Sequence, residues 1–158
     1  MNSLLKLAVA ASILAGIAAA GTLQSAAARH NKTTAPAAAR QLAPGLVVPA
    51  MDPVRGEHLF ASKGCVVCHS INGVGGTDAP KLDASTMAPV MNPFDFFARM
   101  WRSAMPMIAM QRHEIGHQIE FTGRELADIV AFVHDPQVQK TFSAAVIPPA
   151  IKKHMDND

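Results

Sequence analysis

The stretch GCVVCHS, from Gly64 to Ser70, holds both cysteines of the chain, and a histidine follows the second directly. Three chemistries use such a set. Two thiols two residues apart form a redox pair, but that motif expects a surrounding βαβ pattern, which the flanking sequence lacks. Thiolates and imidazoles hold zinc, which takes four ligands. Cys65, Cys68 and His69 supply three, and the adjacent Cys68 and His69 are poorly placed to share one tetrahedral ion. His113 and His117, four residues apart, are the donors that keep the zinc reading open. C-x-x-C-H is also the attachment pattern of a c-type haem. That reading uses all three residues: Cys65 and Cys68 add to the two vinyl groups of one haem, and His69 turns under the ring to bind iron.

A low-spin iron that carries electrons takes a second axial ligand, and thioether sulfur raises its potential. The chain has nine methionines. The segment RMWRSAMPMIAMQRH offers Met100, Met105, Met107 and Met110 downstream of the cysteines. Most of them must be gap-filling core, the ordinary use of methionine. A histidine in that position would lower the potential, and His113 and His117 read better as solvated or helix-end residues.

These groups need elements to position them. Asp52 before Pro53 reads as an N-cap with proline at the first helical position, so a helix is expected over 54–62. Asn92–Pro93 repeats the device, with Asp95 in the first turn, and predicts a helix over 94–102. TGRE at 122–125 fits a capping box. Behind it, Leu126, Ile129, Val130 and Val133 make an i, i+3, i+4, i+7 stripe that ends at Asp135–Pro136. Between the first two helices lies a Gly- and Pro-rich loop, INGVGGTDAPKLDASTMAPVMNP. No window alternates well enough to predict a strand. The expected fold is all-α, with helices and long loops wrapped around a central group. A domain of about 85 residues built this way is close to the size where a core alone is marginal.

Composition sets the outer bounds. The chain has 158 residues, of which 49% are hydrophobic and 16% charged, with a net charge of +2. That balance argues against nucleic-acid binding. Residues 1–28 read as a signal peptide: a polar start with Lys6, an apolar run over 7–21, and small residues at Ser25 to Ala28 that suit cleavage. A retained anchor is the competing reading, since residues 7–23 are near the shortest length that spans a bilayer. Either way the remainder is expected outside the cytoplasm, in the periplasm, with membrane contact only through an uncleaved N-terminus. Residues 29–51 are rich in Ala and Pro and read as an extended linker. The predicted organisation is 1–28 signal peptide, 29–51 linker, 52–136 haem domain and 137–158 C-terminal extension.

Residues 53–135 resemble the class I c-type cytochromes, in particular bacterial monohaem cytochrome c domains. Gly56 and Phe60 resemble the family's glycine and aromatic pair in the first helix, which packs on the terminal helix, where Phe132 stands. GCVVCH resembles the attachment site, and NGVGGTDAPKL the family's Gly-rich loop ending in proline, with Ala79 where glycine is frequent. The resemblance implies that the Pro80 carbonyl accepts the His69 ring N–H, which orients the ring and raises its basicity. One bacterial branch carries Met-Trp and then the ligand Met six residues after Trp. In that register Trp101 leads to Ala104 and Met107, and TGRELADIVAFV follows without a gap. Met105, followed by Pro106, is the rival, because other branches place proline after the ligand. Trp101 is implied to lie beside the haem, with its indole N–H near a propionate or simply covering the edge.

The resemblance implies one haem c, covalently held through two thioethers, in an electron-transfer protein rather than an enzyme. The expected site is Cys65, Cys68, His69, Pro80, Trp101 and Met107, with His69 and Met107 on the metal. The expected partners are a redox protein donor and acceptor. Two alternatives differ in class. One is an electron-relay subunit of a periplasmic dehydrogenase or respiratory complex, with the linker or the tail 137–158 as an interaction arm. The other is a five-coordinate haem protein that binds gas or reduces peroxide.

Overall fold

The computed structural model describes residues 40–155. The segment read as a signal peptide, and linker residues 29–39, lie outside the described residues.

Three helices match the local signals, and two others add to them without a side-chain cap. Helix α1, Pro53–Ser62, starts where Asp52 accepts a hydrogen bond from Arg55 N–H. Helix α2, Cys65–Cys68, is a single turn. Helix α3, Pro93–Arg102, is capped by Asn92, which accepts from Phe94 N–H. Helix α4, Ala104–Glu114, follows after Ser103 alone. Helix α5, Gly123–His134, carries the complete capping box between Thr122 and Glu125. Satisfying these end groups locally explains why the boundaries could be read from sequence.

Helices α1 and α5 cross in close contact. A Cβ at Gly56 would fall 2.0 Å from the Asp128 carbonyl oxygen, so only glycine permits the crossing. Below it, Phe60, Phe132 and Phe142 form a triangle with ring centroids 5.5–5.7 Å apart. Ile129, Val130 and Val133 are buried as the stripe predicts. The crossing also contains a buried acid. Asp128 is fully buried, pairs with Arg55, and accepts the Asp52 backbone N–H at 2.9 Å.

Three features depart from the sequence expectations. The linker is not extended throughout: β1, Arg40–Ala43, pairs antiparallel with β2, Leu46–Val48. Pro44–Gly45, with Gly45 at φ +78°, makes the turn, a type II signature. A second ribbon, β3 Ser70–Ile71 with β4 Val74–Gly75, sits in the Gly-rich loop. Strands of two to four residues are too short to display an alternation, which is why none was predicted. The all-α class stands, because each ribbon is only two short strands, although Ile71 of β3 is buried in the helical core.

The third departure is the tail. Residues 136–155 fold back as α6, Pro136–Gln139, a 3₁₀ turn at Ala144–Val146, and α7, Pro149–Met155. Gln139, Phe142 and Ile147 are buried in the same core as α1 and α5. Asp135 ends α5 as expected and also caps α6, accepting from Gln137 and Val138 N–H.

Candidate functional site

After α1, Gly64 turns the chain at φ +88° into α2. Cys65 and Cys68 are the first and last residues of that turn, at i and i+3, so their thiols lie on one face. They are not joined by a disulfide. Burial pushes the Cys65 thiol up to about 12, so it stays uncharged at neutral pH.

His69 leaves the turn in extended conformation while its backbone N–H still bonds the Cys65 carbonyl at 2.9 Å. Its ring Nδ1 lies 2.7 Å from the Pro80 carbonyl oxygen. A carbonyl only accepts, so Nδ1 carries the proton and the neutral ring keeps its lone pair on Nε2. The ring is thereby oriented, and its second nitrogen is the one left to bind a metal.

The loop that brings Pro80 back is tied down at several points. The Ala79 N–H donates to the Cys68 carbonyl at 3.0 Å and the Leu82 N–H to Ser70 at 2.9 Å. Asp83 accepts the Asn72 N–H at 2.7 Å. Gly76 packs so closely that a Cβ would fall 1.8 Å from the Val67 carbonyl oxygen, and its N–H bonds Val66 at 2.9 Å. The Gly-rich loop is therefore a cradle around the CVVC turn.

Cys65, Cys68, His69 and Pro80 thus form one cluster. Trp101 and Met107 belong to other elements, α3 and α4. Along α4, Ala104, Met107, Ile108, Gln111 and Ile115 are shielded in an i, i+3, i+4, i+7, i+11 stripe, so Met107 shares the inward face. Met105 is on the opposite side, 80% exposed, and Trp101 is 82% exposed. The His113 side chain is exposed and contacts Glu114, and His117 Nδ1 lies 2.9 Å from the Ile115 carbonyl. Among the described residues, no three His, Cys, Asp or Glu side chains are grouped to hold a metal ion.

Sequence reasoning missed two polar residues that brace the site. Gln139, 1% exposed, bonds the loop after Pro80, and Asp128 joins α5 to the start of α1. Asp128 had a faint signal, an acid within the apolar segment LADIVAFV; Gln139 had none.

The donor set fits a covalently attached haem. Paired thiols share one face, and the imidazole is held in the tautomer that frees Nε2. Comparison with known proteins gives the same family. The family model described as cytochrome c matches residues 53–136, just over half the chain. No curated protein and no solved structure matches. Both the match and the helical architecture around the CVVCH turn lead to one conclusion: the chain belongs to the cytochrome c family, binds haem c covalently, and serves haem-based electron transfer with redox partners.

Proposed function

We propose that this protein is a periplasmic single-electron carrier, with Cys65 and Cys68 as the thioether anchors and His69 and Met107 as the axial ligands. The observation that carries the reading is the His69 Nδ1 to Pro80 carbonyl bond of 2.7 Å. It leaves Nε2 as the donor and makes the imidazole more basic. Haem supplies the one-electron ferrous/ferric couple and the protein tunes its potential through ligand type, burial and hydrogen bonding.

Support for Met107 over Met105 comes from the helical stripe, which turns Met107 inward and leaves Met105 80% exposed. His113 is directed to solvent and Glu114 instead. Pro80 enters the set through its carbonyl, and Trp101 through resemblance. With both axial positions closed, a substrate finds no open site on the metal, which favours a carrier over a gas-binding or peroxide-reducing protein. The export-type N-terminus supports a periplasmic location. The relay-subunit alternative loses one of its motives, because residues 137–155 pack on their own domain.

The test is optical. The ferric protein is expected to show the far-red methionine–iron charge-transfer band, and pyridine haemochrome to report two thioether links. Met107→Ala should abolish the band and Met105→Ala should keep it. A band that survives Met107→Ala and is lost in Met105→Ala reverses the ligand assignment, and a high-spin wild type that binds CO fast overturns the carrier reading.

A further inference from the structure

The most fully bonded polar side chain near the His69 cluster comes from the tail. Gln139 ends α6 and is 1% exposed. Its Nε2 donates to the Leu82 carbonyl and to the Phe132 carbonyl, each at 3.1 Å. Its Oε1 accepts the Ala84 N–H at 2.7 Å. Its own carbonyl accepts from Asn72 Nδ2 at 3.0 Å. Both side-chain donors are used, and the partners span the loop after Pro80, helix α5 and the β3–β4 turn.

The segment from Pro80 to Ala84 is therefore gripped from two sides. Ser70 and Asn72 hold Leu82 and Asp83 on one side. Gln139 holds Leu82 and Ala84 on the other. Pro80, two residues before Leu82, has no N–H of its own to fix its position. With Ala79 tied to the Cys68 carbonyl on its N-terminal side, where the Pro80 carbonyl sits depends also on how firmly the following residues are held.

We infer that Gln139 is a positioning residue for the haem ligand: through Leu82 and Ala84 it holds the Pro80 carbonyl on His69 Nδ1 and so contributes to setting the reduction potential. The inference rests on His69 as the axial ligand. Replacing the carboxamide with an apolar group leaves the Leu82 carbonyl and the Ala84 N–H short of partners in the interior, where such groups are costly, while the Phe132 carbonyl keeps the Asp135 N–H. The loop then relaxes, the bond to His69 weakens, and the imidazole becomes less basic. A less basic ligand stabilises the ferric form less, so the potential rises.

The experiment uses the full-length haem-loaded protein. Gln139→Met keeps the volume and removes the hydrogen bonds. Asn72→Gly removes only the side-chain bond to the Gln139 carbonyl, keeps the backbone N–H bond to Asp83, and tolerates the positive φ of 49° at that turn. Phe142→Leu is the control, since it loosens the same tail core without touching the loop. Reduction potential, exchange of the His69 ring N–H followed by NMR of the ferrous protein, and urea midpoint are measured on each. Gln139→Met should favour the ferrous form by about tenfold, a rise of about 59 mV for one electron. Its ring N–H should exchange about tenfold faster, within the usual reach of groups behind a metal ligand. Asn72→Gly should shift both in the same sense by less, and it decides the matter if Gln139→Met does not fold. Phe142→Leu should lower the urea midpoint with no change in potential.

Wild-type potential and exchange in both Gln139→Met and Asn72→Gly overturn the inference, as does an equal potential shift in Phe142→Leu. A wild type whose ferrous spectrum lacks haem-shifted His69 ring resonances overturns the ligand reading itself. Those resonances together with an unmoved potential overturn the Gln139 role alone.

Discussion

Gly56→Ala sets two opposing effects against each other with magnitudes that can be compared. In an isolated helix, alanine is favoured over glycine by about 1 kcal/mol. Here the added Cβ would meet the Asp128 carbonyl oxygen at 2.0 Å, its carbon at 2.6 Å and Phe132 Cβ at 2.8 Å. Two of these atoms are backbone and cannot rotate away. Relief needs α1 and α5 to move apart by on the order of 1 Å, since carbon atoms pack at about 3.5–4.0 Å. That opening crosses the Phe60–Phe132 contact, now 5.6 Å between centroids, and the Asp52 N–H bond to buried Asp128. Overpacking costs about 1–3 kcal/mol, and a weakened hydrogen bond to a buried carboxylate roughly 1–3 more. The net expectation is a loss of about 2–4 kcal/mol. With a urea slope of about 1–3 kcal/mol/M, the midpoint should fall by roughly 1–2 M. The assay is urea unfolding of the haem-loaded protein followed by far-UV circular dichroism. Gly123→Ala is the control: it opens α5 with nothing within 4 Å of its Cβ, so it should be neutral or slightly stabilising. If Gly56→Ala matches wild type, or Gly123→Ala suffers the same loss, the close crossing is not what demands glycine and the reasoning fails.

Further outcomes follow from the same contacts. Thr122→Ala removes the side-chain half of the capping box and should cost about 1 kcal/mol by urea unfolding. Hydrogen bonds from the Thr122 N–H and Lys63 hold Glu125 at about 2, so its stabilising contribution is present above the unfolded value of about 4.3 and is lost as pH falls towards 2. NMR titration should place the Glu125 midpoint there, and Lys63→Met should raise it. Glu57 moves the other way: burial raises its pKa, and one carboxylate oxygen has no hydrogen-bond partner. Ionising Glu57 therefore opposes folding as pH rises through the raised value, so Glu57→Gln should be more stable than wild type at pH 7 and lose that advantage in acid. Phe142→Ala should cost about 3–5 kcal/mol by urea unfolding, because the ring is 5% exposed within the aromatic triangle. A surface tail would show almost no loss.

The helix starts at Asp52, Asn92 and Thr122 were legible because a cap is a contact between residues two or three apart. The CVVCH turn was legible for the same reason: one helical turn puts both thiols on a face whatever surrounds it. The His69–Pro80 bond spans eleven residues and came through resemblance, not through any local rule. The ribbons at 40–48 and 70–75 escaped because so few residues carry no periodicity.

Chain order by itself determined the helical class, the covalent haem chemistry of Cys65 and Cys68, and the starts of α1, α3 and α5, all set by neighbours within a turn or two. Tertiary structure alone decided that the tail belongs to the core, that Asp128 braces the helix crossing 76 residues from Asp52, and that Gln139 grips the loop behind Pro80 from 57 residues away. A polar side chain in the sequence looks the same whether it faces water or fills a buried network. Only the packing of distant segments removes the water, and that step turns an ordinary glutamine into a structural tie.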